Sequence, residues 1–314
     1  MKTPLKYLDT NTKGRDFVVG DIHGSLSVLK NLLAGIQFNK EVDRLISVGD
    51  MIDRGPQSLE VLALLYEPWF YAVLGNHEWM MLKAFSPSVQ TFMWWNNGGD
   101  WGYELWNDWN HRDDKNRIPN DKSVELFGLI EMVKELPYVI TVKNKSGKKF
   151  HILHAELPGG TGTVVDDDLM EDEVRLHRLA TIKRGDGDAV LWSRAIFDSL
   201  YEANLQQKDK LVRTIAYNNR KMVFNDNLSH IISGHTIVQK PVTVVGQTCI
   251  DTGAFDSYWK VLQPYQGGRV APVEWARLTC VELDSWKFYS ATNTIFEEVE
   301  PVVITRDEIN AAIP

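Results

Sequence analysis

The chain is poor in the residues that staple or anchor a protein. Only two of its 314 residues are cysteine, Cys249 and Cys280. Two thiols do not make a disulfide framework, and both are expected to be buried and free, as in a reducing compartment. No apolar run approaches the ~20 residues that cross a bilayer. The stretch from Met1 to Gly14 is polar, without the apolar segment of a secretory signal. A cytoplasmic protein with no membrane contact is expected. Basic charge is also scarce, since 34 Lys and Arg stand against 42 Asp and Glu for a formal charge of −8. Phosphate backbones attract basic surfaces, so general nucleic-acid binding is disfavoured. Any anion site must be a local basic spot in an acidic molecule. The 44% hydrophobic and 24% charged composition is that of a globular chain with a sizeable core. Neither an internal repeat nor a low-complexity linker divides it, so residues 1–314 are expected to form one domain.

Present instead are five short polar blocks, each where an apolar, β-like run stops. They are Gly20-Asp21-Ile22-His23-Gly24, Gly49-Asp50-Met51-Ile52-Asp53-Arg54-Gly55, Gly75-Asn76-His77-Glu78, His154-Ala155-Glu156 and Ser233-Gly234-His235-Thr236. Side chains at the ends of neighbouring strands can converge on one sheet edge. Carboxylate, imidazole and amide oxygen together suit borderline divalent metals such as Mn, Fe or Zn.

The first three blocks are spaced by about one βαβ unit. Strands are expected at 16–20, 44–48 and 70–74, with helices after each: 25–35, Ser58–Tyr66, and one through Met80, Met81 and Leu82. Sites in such parallel sheets lie beyond the carboxyl ends of the strands. Residues 86–137 read as a helical insert crowded with Trp94, Trp95, Trp101, Trp106 and Trp109 around Asn97-Gly98-Gly99. Its aromatics are expected to pack against the sheet rather than to cap a substrate. Residues 138–153 read as a hairpin turning at 144–147, and further strands are expected at 229–233, 242–250 and 276–283. The acidic stretch from Asp166 to Glu173 lacks EF-hand spacing and reads as a solvated face or helix start. His111, His151, His177 and His230 belong to no second motif and are expected to be structural.

The ordered set of blocks resembles the metal-dependent serine/threonine phosphoprotein phosphatases, most closely the bacteriophage lambda type. Supporting features are Ile46-Ser47-Val48 before Gly49-Asp50, Pro68-Trp69-Phe70 before Gly75, His154-Ala155, Leu191-Trp192-Ser193-Arg194 and Ile250-Asp251-Thr252-Gly253-Ala254. The likeness covers roughly 17–255, leaving 256–314 as an extension beyond a core of about 15–290. It implies an α/β fold, the four-layer calcineurin-like metallophosphoesterase sandwich, with a dinuclear metal centre. Asp21, His23 and Asp50 would hold one divalent ion; Asp50, Asn76, His154 and His235 the other, with Mn the expected metal and Fe or Zn the alternatives. A bridging carboxylate neutralises part of two cations ~3.5–4 Å apart, and a metal-bound water is acidified into a nucleophile near neutral pH. His77 would be the general acid, oriented by Asp53. Arg54 and Arg194 would clamp phosphate, as guanidinium forks do. Glu78 is expected to position its loop rather than bind metal.

One position departs from the pattern. An Arg commonly precedes the Gly-Asn-His-Glu block in this family, and here Leu74 stands there. Diadenosine tetraphosphate hydrolases of the superfamily also lack that Arg and share Arg54-Gly55-Pro56, but carry Ala in place of Asp53. The leading expectation is a phosphomonoesterase acting on phosphoproteins and small phosphomonoesters. The alternative is a symmetrical dinucleoside tetraphosphate hydrolase.

Overall fold

The computed structural model describes residues 3–85, 91–110, 120–157, 165–180, 226–255 and 275–312, with short pieces between 183 and 213. Two sheets dominate. In the six-stranded sheet the parallel core is β2 (Asp16–Val19), β3 (Arg44–Ser47) and β4 (Phe70–Ala72). Three antiparallel strands continue it beyond β2: β12 (Leu278–Glu282), β13 (Phe288–Ala291) and β14 (Phe296–Val299). The seven-stranded sheet runs β1 (Leu5–Leu8), β5 (Val139–Lys143), β6 (Lys149–Leu153), β9 (His230–Ser233), β11 (Gln247–Cys249), β10 (Val242–Val244) and β15 (Val302–Ile304). A two-residue pair, β7 (Lys183–Arg184) and β8 (Gly187–Asp188), stands apart from both.

Alternation along the strands explains the layering. Val18, Ile46, Ile140, Ile152, Ile232 and Val281 share one buried cluster drawn from both sheets. Their chain neighbours Phe17, Val19, Leu45, Val139, Leu153 and Ile231 belong to a second cluster, with helical residues such as Leu29, Leu32, Leu126 and Leu176. Strands buried on both faces are near-continuous apolar runs because side chains alternate sides. The result is helix, sheet, sheet, helix, the expected four-layer sandwich.

The early helices form where expected. Helix α1 (Leu26–Gly35) buries Leu26, Val28, Leu29 and Leu32. The second is shorter, α2 (Ser58–Leu62) passing into a tighter turn over Ala63–Tyr66. Helix α3 (Asn76–Ala84) begins at Asn76 itself, so Asn76 and His77 lie in its first turn and not in a preceding loop.

One expectation changes, and two segments for which none was made add strands. The 242–250 run is two strands, folded at Val245 (φ +45°) and Gly246 (φ +82°), a turn that Gly246-Gln247 marks within the run. The N-terminal stretch contributes β1, parallel to β5. The polar tail after Ser290 supplies β14 and β15, so it completes both sheets. His111 lies outside the described residues, as do 256–274 of the extension. Both cysteines are buried and unpaired with each other. No helix among the described residues is long and apolar enough to cross a membrane.

Candidate metal centre and active site

The five polar blocks meet at the carboxyl ends of β2, β3, β4, β6 and β9. The backbone is forced there. His23 (φ +45°), Asp50 (+48°), Asp53 (+74°), Arg54 (+67°) and His235 (+67°) all sit in the left-handed region that favours glycine. Such strain concentrates at functional sites and persists only where neighbours enforce it. Glu78 is one enforcer. Its buried carboxylate accepts N–H bonds from Asp50, Met51, Ile52 and Gly75 at 2.7–3.2 Å, which is the loop-positioning role expected of it. A second is the close approach of Gly75, where a Cβ would lie 2.3 Å from Asp50 Oδ1.

Two triads of potential metal donors result, each with its ligand atoms within 4.8 Å: His23, Asp50 and His77, and Asp50, His154 and His235. Asp50 is common to both. Asn76 Oδ1 lies 2.6 Å from His154 Nε2 and 2.9 Å from His235 Nδ1. Asp21 falls outside the triads, its carboxylate accepting the His235 N–H at 3.1–3.2 Å.

The donor set fits cations. His23 Nδ1 is 2.8 Å from the Ile52 carbonyl, and His154 Nδ1 is 2.9 Å from that of Val48. A carbonyl only accepts, so each ring carries its proton on Nδ1 and turns a lone pair on Nε2 inward. Such second partners fix ligand tautomers in metal sites. Burial pushes His154 down to about 4, keeping it neutral. At Asn76 the acceptor Oδ1 then faces the acceptor Nε2 of His154, an arrangement that a cation makes favourable. Burial also pushes the carboxyls of Asp21, Asp50 and Asp251 upward, and repulsion from neighbouring carboxylates adds to this at Asp21 and Asp50. Bound cations reverse that balance.

The predicted acid and its partner are in contact. Asp53 Oδ2 lies 2.6 Å from His77 Nδ1, with both side chains buried. Arg54 spans the site, Nη1 donating to His23 Nε2 at 2.9 Å and Nη2 to His77 Nε2 at 3.1 Å. Its guanidinium also lies 4.6 Å from the Phe255 ring centroid. Arg194, on the other rim, donates to Thr236 Oγ1 at 3.4 Å and is exposed.

Several contributors were not foreseen. Trp94 and Trp101 of the insert both donate indole N–H bonds to Asp53, at 3.0 and 2.8 Å. Glu156 accepts from Ser193 Oγ and from the Ile196 and Phe197 amides, pinning the segment that carries Arg194. Leu74 is 1% exposed and packs in the main apolar cluster. His151 lies between Thr141 and Asp167, and His230 bonds Thr248, as expected of structural histidines. Asp166 caps the helix Asp167–Glu171.

Residues 17–239 match the calcineurin-like phosphoesterase family. The chain belongs to that family. A Salmonella typhimurium protein named serine/threonine-protein phosphatase 2 is 35% identical over 255 residues, covering 81% of this chain and 94% of its own length. Serine/threonine-protein phosphatase 1 of the same organism is 32% identical over 238 residues, 76% of this chain and 86% of its own. A symmetrical bis(5'-nucleosyl)-tetraphosphatase of Pseudomonas putida is 49% identical, but over 70 residues that cover 22% of this chain and 24% of its own. The chain is a metallophosphoesterase, a hydrolase of phosphoric esters.

Proposed function

We propose that this phosphoesterase is a serine/threonine protein phosphatase working on phosphomonoesters, with residues 1–314 acting as one domain. The observation that carries this reading is the Asp53–His77 pair at 2.6 Å beside the two donor triads. A monoester leaves as an alkoxide that must be protonated, and a buried imidazole backed by a carboxylate suits that task. The extent of the two phosphatase-named relatives supports it as well.

His23 and Asp50, with Asp21 near, would hold one divalent cation; Asp50, Asn76, His154 and His235 would hold the other, with Mn the preferred ion. When bound, such a pair supplies positive charge to phosphoryl oxygens and acidifies water. The protein's own groups do the rest. Arg54 and Arg194 grip the phosphoryl oxygens from opposite rims. Arg54 must release His77 Nε2 to do so, and His77 then carries a proton on Nε2 toward the leaving oxygen. Asp53 steadies the resulting imidazolium.

Turnover of a phosphoserine peptide and p-nitrophenyl phosphate should be compared with that of diadenosine tetraphosphate, with Mn added. Preferred turnover of the monoesters is expected. Turnover of the dinucleotide with inert phosphopeptide would replace this reading with the nucleotide hydrolase.

A further inference from the structure

Building on the reading of His77 as general acid, we infer that Trp94 and Trp101 are positioning residues whose indole N–H groups set Asp53 against His77. The Asp53 carboxylate is fully buried. Its Oδ1 accepts from Trp94 Nε1 at 3.0 Å and Trp101 Nε1 at 2.8 Å, while Oδ2 accepts from Trp94 at 3.0 Å and from His77 at 2.6 Å. Among the described residues no Lys or Arg makes an ion pair with it. The two donors are neutral. They fix the rotation of the carboxylate and place no countercharge between it and His77. A guanidinium there would orient Asp53 equally well but would set a positive charge beside the His77 ring.

The insert is shaped for this purpose. Trp94 and Trp101 meet edge to face, ring centroids 5.9 Å apart. Gly99 and Gly102 lie flat against the Trp94 ring, where a Cβ on either would come within 2.4 Å of it. Gly98, at φ +102°, stands where a Cβ would meet Arg54 N at 2.9 Å, and its carbonyl accepts the Arg54 N–H at 3.3 Å. One short segment, 94–102, therefore touches both Asp53 and Arg54. Core packing alone requires neither indole nitrogen to point at a carboxylate.

The test uses the full-length, Mn-loaded protein and two aryl phosphates: phenyl phosphate, whose leaving group needs a proton, and 2,4-dinitrophenyl phosphate, whose leaving group does not. His77→Asn, Trp101→Phe and Trp94→Phe are compared for kcat and KM on each. His77→Asn should lose activity mainly on phenyl phosphate. Trp101→Phe should follow the same pattern more weakly, roughly 10-fold on phenyl phosphate and under about twofold on the dinitrophenyl ester, with KM little changed. Equal losses on both esters, or none, in the tryptophan variants beside a leaving-group-dependent His77→Asn would overturn the positioning role alone. A His77→Asn variant with equal losses on both esters would overturn the acid assignment beneath it. Should the phenylalanine variants fail to fold, 3-benzothienylalanine at position 101 keeps the ring and removes only the N–H. The same leaving-group pattern is then expected, and its absence overturns the role.

Discussion

Arg54 Nη2 donates to His77 Nε2 across 3.1 Å, so the arginine occupies the nitrogen that an acid must use. The contact leaves the His77 proton on Nδ1, shared with Asp53. On the proposed roles of these residues, phosphate binding and acid catalysis would be linked, because a phosphoryl group held by Arg54 would draw the guanidinium off His77.

Arg54→Ala should remove a charge-assisted phosphate contact of about 1.5–3 kcal/mol, lowering kcat/KM for p-nitrophenyl phosphate roughly 10–150-fold. Inhibition by inorganic phosphate should weaken in parallel, while metal content stays near that of the wild type. Unchanged phosphate inhibition would remove Arg54 from the clamp.

Chelation should abolish turnover, and Mn should restore it best among Mn, Fe and Zn. The melting temperature should also rise with added metal, since cations relieve the repulsion among Asp21, Asp50 and Asp251. Metal at 100 times its Kd would stabilise the fold by about 2.7 kcal/mol. A metal-free protein with full activity is the contrary result.

Leu74→Arg should destabilise the fold by about 3–5 kcal/mol, as an unpaired charge in an apolar core does. The side chain is 1% exposed among apolar neighbours, so the replacement is not expected to supply the missing clamp. Calorimetry beside a phosphate inhibition curve decides it. Tighter inhibition in a protein of near-normal melting temperature would show that the arginine reaches the site.

Asp167 gives a pH signature away from the site. Burial raises its carboxyl, but the Ser229 N–H and O–H, Lys149 and His151 outweigh that and hold it below the usual carboxylate range. A depressed folded-state pKa adds stability above the unfolded value of ~3.9, and that stability is lost as pH falls through the folded value. Asp167 is 24% exposed, so solvent screens the effect to about 1 kcal/mol. Asp167→Asn should cost that much at pH 7 and clearly less near pH 2, where part of the contribution remains because the folded carboxyl still titrates lower, measured by urea unfolding at both.

That the five blocks converge was legible because they follow apolar runs whose ends the sheets align. The contact of His77 with Asp53 follows from the same alignment. Trp94 and Trp101 were not, since their rings look like core and lie 41 and 48 residues from Asp53. The interleaved Gly98, Gly99 and Gly102 were the available signal, marking backbone pressed against a ring. Edge strands escaped too. Leu5–Leu8 and Phe296–Val299 are short and largely exposed, so burial imprinted little pattern on them. Glu156 was placed in a metal-site block, whereas its carboxylate holds a neighbouring loop.

His23, Asp50, Asp53, Arg54 and His235 each hold a backbone angle that glycine or asparagine adopts at lower cost. Heat resistance and turnover therefore pull these positions in opposite directions. A library of variants sorted only for survival on heating should drift toward glycine or asparagine at Asp53 and Arg54, and its hardiest members should be the slowest catalysts.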